Sequence, residues 1–233
     1  MSISRRQMLL TGLGLLVTGC ATGSGSRPPR PGTHWPGTTS TPRTGSGREV
    51  AGSSRPAPTQ TRDNDLTIIP RSRWASTGTR TGRVNPMNGV NRITLHHEGW
   101  NTVTFDDVAT TSDRLERIRR NHVNNLGWGD IGYHYIIDRA GRLWEGRPIR
   151  YQGAHVGGHN EHNLGIMLLG NFDNQQPTQA QLRAMIETVR VFRRRHNVPA
   201  HRVVTHQEIT PTACPGRSLQ PQIARLRSAG SFS

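Results

Sequence analysis

Large apolar residues fall in two separate places along this chain: one short block, Met8 to Val17, and a series of patterned runs from Leu66 onward. Between them, only Trp35 and Val50 interrupt a stretch of Gly, Ser, Thr, Pro and Arg. Beyond Leu66 the pattern changes to short β-prone runs alternating with helical spacing. Arg92-Ile93-Thr94-Leu95-His96, Tyr133 to Asp138, Gly141 to Glu145, Leu164 to Leu169 and Arg202 to His206 read as strands, and Arg139-Ala140-Gly141 joins two of them as a hairpin. Thr104 to Asn125 carries Phe105, Val108, Leu115, Ile118 and Val123 at helical intervals. A second helix opens at Pro177-Thr178 with Gln181 in the capping-box position. It places Leu182, Met185, Ile186, Val189 and Phe192 on one stripe and stops near Asn197-Val198-Pro199. Leu219 to Leu226 reads as a final helix. Strands interleaved with helices predict an α/β domain, with a mixed central β-sheet flanked by helices, over residues 66–233.

The first block is too short to cross a bilayer, which takes about 20 apolar residues. It follows Arg5-Arg6, so residues 1–19 read as a signal peptide of the twin-arginine kind. Val17-Thr18-Gly19-Cys20 resembles a lipobox, which makes Cys20 the expected lipid attachment point and implies an exported protein anchored to a membrane of the cell envelope, facing the periplasm or wall. Residues 20–65 cannot bury enough surface to offset their ordering entropy, and are expected to be a disordered tether.

Composition agrees with one core diluted by such a segment: hydrophobic residues make up 32% of the 233, against 26 Gly and 15 Pro. The net charge is +15, and every one of the 30 basic residues is Arg. That surface favours anionic partners in general. Nucleic acid is set aside, because aromatics are only 5% of the chain and the expected signal peptide places the protein away from nucleic acid. The Arg190, Arg193, Arg194 and Arg195 face reads as a solvated helix surface. With Cys20 consumed by lipid, Cys214 has no disulfide partner and needs another role.

His96 and His206 each close an expected strand, and Cys214 follows His206 by eight residues. Two imidazoles and a thiolate make a sound zinc shell with one open position for water. Each residue also has an ordinary alternative: a strand-end His is commonly a hydrogen-bonded surface group, and a lone buried Cys a small hydrophobe. Spacing alone leaves these readings open.

The segments ITLHHEG, GWGDIGYHYIID, GRLWEGRP, GAHVGGHNEHNLGIMLLGNF and VVTHQEITPTACPG, from about Ile68 to Leu219, resemble the N-acetylmuramoyl-L-alanine amidase type 2 family. That family includes peptidoglycan recognition proteins and phage amidase-type lysozymes. The resemblance implies an amidase/peptidoglycan-recognition-protein-like fold, a Zn2+ ion, and hydrolysis of the amide between N-acetylmuramic acid and L-alanine. The substrate it implies is peptidoglycan or muropeptide, handled by a monomer. It further implies His96, His206 and Cys214 as metal ligands, with Tyr133 and Thr212 as catalytic donors. His97, Trp100, His155 and Asn171 are candidates for substrate contact, His155 by lining the peptide groove. Glu98 and Glu145 are weighed as general bases and read as structural or rim residues. A second metal site in the His155, His159, His162 run is weighed too, against solvated histidines. Two alternatives accompany the enzyme: a non-catalytic binding module, and a closed structural zinc with His97 as fourth ligand. Against the latter, neighbouring strand residues point to opposite faces.

Overall fold

The computed structural model describes residues 61–63 and 66–233. The expected signal peptide (1–19), Cys20 and most of the expected tether lie outside the described residues. Among the described residues, seven strands form one mixed sheet: β1 (Thr61–Asp63), β2 (Leu66–Ile69), β3 (Arg92–His97), β4 (Tyr135–Ile137), β5 (Leu143–Glu145), β6 (Asn163–Leu168) and β7 (Val203–Thr205). Their order is β1-β2-β5-β4-β6-β3-β7. Three α-helices accompany them: α1 (Val108–Asn124), α2 (Gln179–His196) and α3 (Gln220–Ser228).

β1 falls inside the stretch expected to be tether, where it pairs antiparallel with β2, Thr61 opposite Ile68. The middle of the sheet is parallel: β3 runs in register with β6 from Arg92↔Asn163 to His97↔Leu168 and also pairs with β7. Such strands are covered on both faces, and all six residues of β6 are buried. The expected hairpin is β4–β5. Asp138 caps its turn by accepting from the Ala140 and Arg142 amides, and Gly141 takes φ 82°, a conformation side chains rarely adopt.

The helix ends follow local chemistry. Asp107 accepts from the Thr110 amide at 2.7 Å and starts α1. Thr178 and Gln181 complete the reciprocal capping box of α2, which ends at Asn197 in the left-handed region. One strand is shorter than expected. β7 stops at Thr205, and His206 opens a 3-10 turn (His206–Glu208) because Thr205 and Glu208 cap that turn reciprocally.

Side-chain alternation sorts the sheet into two faces. Ile93, Leu95, Leu164, Ile166, Leu168, Tyr135 and Ile137 point to one face and pack against Leu182, Met185, Val189 and Phe192 of α2 and Ile223 of α3. Ile136, Trp144, Met167 and Ile69 belong to a second core with Leu115 and Ile118 of α1. At the middle of the sheet this second face turns polar. Thr94 and Asn163 are fully buried and hydrogen-bonded at 2.7 Å, and His96, two residues beyond Thr94, shares their side.

Candidate metal centre

His96 is the fifth residue of β3 and is fully buried. His206 comes from the 3-10 turn that follows β7, the strand beside β3, and its ring centroid lies 4.8 Å from that of His96. Cys214 returns from the loop beyond, with its Sγ 3.5 Å from His96 Nδ1. Each of the three offers one ligand atom, and these atoms all lie within 4.8 Å of one another.

The loop is held at both ends. The Gln207 amide donates to the Cys214 carbonyl at 2.9 Å, and the His97 amide donates to Cys214 Sγ at 3.4 Å. Glu208 accepts from the Thr205 amide and is gripped by Arg227 of α3 through contacts of 2.8 and 2.7 Å. Thr212 Oγ1 accepts from the Cys214 amide at 3.2 Å, which fixes the turn that presents the thiol.

The electrostatics suit a cation. Burial, then the neighbouring His155 and His206, push His96 well below the usual imidazole range, and burial lowers His206 to about 4. Both rings are therefore neutral near pH 7, with a lone pair available. Burial pushes the Cys214 thiol up to about 12, only partly opposed by the His97 amide. Three buried donors, two neutral and one held as a thiol, have much to gain from a positive charge among them.

Tyr133 packs its ring 5.2 Å from that of His96, and its phenol is pushed upward by burial and by nearby Cys214 and Glu98. His97 points to the other face, as strand geometry requires. It is 6% exposed, stacks on Phe172 and accepts the Phe172 amide at Nδ1, 3.3 Å away. No fourth His, Cys, Asp or Glu joins the donor group among the described residues.

The other expected contact residues take varied places. Asn171 donates to the Trp100 carbonyl at 2.5 Å and accepts from the Asp173 amide, which ties loops together. Trp100 is half-buried under the Arg114 guanidinium at 4.8 Å. His155 is only 2% exposed, and both ring nitrogens are engaged, with His96 Nε2 at 3.0 Å and the Asn163 carbonyl at 3.1 Å. It keeps no free nitrogen for a groove ligand. His159 is exposed and His162 reaches toward the Gly89 carbonyl, so the three histidines of that run do not converge.

Glu98 is buried in an ion pair with Arg114 of α1, and burial raises its carboxyl to about 7 against the pull of that arginine. Glu145 accepts from the Arg71 amide on β5, three strands removed from β3. Sequence reasoning passed over His134, Asn163 and the glycines that surround them. His134 lies at the same parity as Ile136, the one signal that could have placed it beneath the centre. It donates to the Tyr151 carbonyl from Nε2 and accepts the Gly165 amide at Nδ1.

Residues 86–217 match the family model described as N-acetylmuramoyl-L-alanine amidase. Peptidoglycan-recognition protein SC2 of Drosophila melanogaster is 30% identical over 159 residues, 68% of this chain and 85% of the relative. The human N-acetylmuramoyl-L-alanine amidase is 30% identical over 155 residues, 65% of this chain, and the match spans only 27% of that longer protein. Among solved structures, Drosophila peptidoglycan recognition protein SD aligns with TM-score 0.63 at 25% identity, over 69% of this chain and 94% of its own. Peptidoglycan recognition protein-LE, solved with tracheal cytotoxin, a monomeric diaminopimelic acid-type peptidoglycan, aligns with TM-score 0.62 at 26% identity, over 68% of this chain and 92% of its own.

Proposed function

The chain belongs to the N-acetylmuramoyl-L-alanine amidase family, and from that premise we propose that it is a zinc-dependent enzyme that hydrolyses the amide between N-acetylmuramic acid and L-alanine in peptidoglycan or its fragments. The observation that carries this reading is the convergence of His96, His206 and Cys214 donor atoms within 4.8 Å. The donor set fits zinc: imidazole and thiolate are its preferred protein ligands, and three of them leave a fourth tetrahedral position for water or substrate. A closed structural site would need another ligand, and His97 points away. When bound there, zinc supplies a Lewis acid for the scissile carbonyl and makes water easier to deprotonate.

The chain's own residues supply the rest. Tyr133 stands beside His96 with a phenol that burial keeps protonated, so it can donate a hydrogen bond to an oxyanion formed from the amide carbonyl. Thr212 holds the Cys214 turn and has a hydroxyl hydrogen that can serve the same charge. The half-buried Trp100 offers an apolar wall for sugar or stem peptide. Residues 1–20 fit delivery to the cell envelope with a lipid on Cys20, which would keep the domain near its polymer.

Digestion of purified sacculi by the full chain, followed by mass spectrometry, tests the reading. New L-alanine amino termini that vanish with a chelator, return with zinc and are absent for Cys214→Ala are the expected result. Retained sacculus binding with no cleavage would instead assign the domain to recognition without hydrolysis.

A further inference from the structure

Beneath the three donors lies a buried hydrogen-bond chain whose proton positions are forced from its far end. The Asn163 carbonyl can only accept, so the hydrogen bond at 3.1 Å requires a proton on His155 Nε2. His155 is 2% exposed and has no carboxylate among its hydrogen-bond partners, so its ring is a neutral imidazole with that single N–H. Its Nδ1 is then a bare lone pair. The atom facing it at 3.0 Å is His96 Nε2, which must donate. His96 in turn is left with its lone pair on Nδ1, the nitrogen that faces Cys214 Sγ.

Every group in this chain is fixed. The Asn163 side chain accepts from Thr94 Oγ1 at 2.7 Å and donates to the His159 carbonyl at 2.8 Å. Asn160 Oδ1 receives the amides of both His155 and Val156 at 2.9 Å. Gly153 and Gly165 press on the His155 ring from two sides: a Cβ on either would come within 2.3 or 2.5 Å of its Cδ2. The glycines make room for the ring in this place, and a half-turn about its Cβ–Cγ bond would put carbons where both hydrogen-bonded nitrogens stand.

We propose that His155 is a positioning residue that fixes the tautomer and orientation of His96, so that Nδ1 is presented to the metal. This rests on the zinc reading above. A histidine ligand needs a lone pair at the metal and a partner for its other nitrogen, and loss of such a partner typically costs about 10–100-fold in metal affinity.

Two substitutions separate positioning from packing. In His155→Asn the amide oxygen takes the place of Nδ1 and can still accept from His96. In His155→Gln the amide reaches the place of Nε2 and leaves His96 Nε2 without its acceptor. Zinc affinity, measured by competition with a chromophoric chelator, should fall about 10–100-fold for His155→Gln and stay near wild type for His155→Asn. Equal losses in both would mean that the ring only fills space, and would overturn the proposal. Long-range 1H–15N NMR of the metal-free wild type gives a second readout that needs no variant to fold. The expected spectrum has both His96 and His155 protonated on Nε2, and an Nδ1–H form of His96 overturns the proposal even if zinc binds. A wild type that binds no zinc sinks the amidase reading, and with it the purpose given to His155, whatever the tautomers.

Discussion

The two faces of the sheet are built for different ends. On one, β3 contributes Ile93 and Leu95 to a continuous apolar core under α2 and α3. On the other, the same strand contributes Thr94 and His96 to a buried polar layer with His134, His155 and Asn163. The first face gains from removing apolar area from water, roughly 25 cal/mol per Å². The second buries polar groups, each tolerable only because it has a partner. The difference teaches that stability and chemistry are separated here by the two-residue period of one strand.

The sharpest way to break the comparison is on the polar face. Cys214→Ala should abolish zinc retention and lower amide hydrolysis by at least about a thousandfold, while leaving the metal-free melting temperature near that of wild type. Metal analysis beside a thermal scan checks both halves, and a variant that keeps its zinc would contradict the donor set. The mirror-image change is Phe192→Ala on the apolar face. It removes a fully buried ring and should cost about 3–5 kcal/mol in urea unfolding, with zinc affinity of the folded fraction unchanged.

These faces were not equally legible in the sequence. The apolar one was, because alternation in β3 and β6 and the stripe Leu182, Met185, Val189, Phe192 are periodic signals, and the Thr178 capping box marks where α2 starts. The triad was not legible from spacing. Its members lie on separate elements, His96 and Cys214 118 residues apart, so residue types and spacing only raised the zinc shell and the family resemblance chose it. The groove role of His155 comes from the family resemblance alone, and nothing in its local sequence marks the ring as buried. What buries it is the pair Gly153 and Gly165, whose meaning depends on a long-range parallel pairing. β1 and β2 are short, and β2 is fixed by β5 more than 70 residues away. Local propensity carries no trace of that partner.

A finer test on the polar face is Tyr133→Phe, which deletes one donor and keeps the ring. It should lower kcat about 100- to 1000-fold with little change in KM. Unchanged kcat would leave oxyanion stabilisation to Thr212 and the metal.

The smallest effect sharpens the comparison at the rim of the second face, where Glu116 joins α1 to Ser76. Hydrogen bonds from Arg119, Ser76 and Arg120 prevail over burial and hold its carboxyl down to about 2. The carboxylate's contribution is present in full above the ordinary glutamate range and is lost as pH falls toward about 2. Wild type should therefore exceed Glu116→Gln in urea midpoint at pH 7, with the gap narrowing below the ordinary glutamate range and still shrinking at pH 3. A gap that does not depend on pH would show that the charge is irrelevant to the contact.

The grip of Arg227 on Glu208 gives α3 a hand in a reaction it never touches. All three ligands have been translated before this helix, yet the strut that steadies two of them comes after. On the zinc reading, a nascent polypeptide would display every coordinating group before it had a firm socket, which would place secure loading of an ion after the last helix has docked.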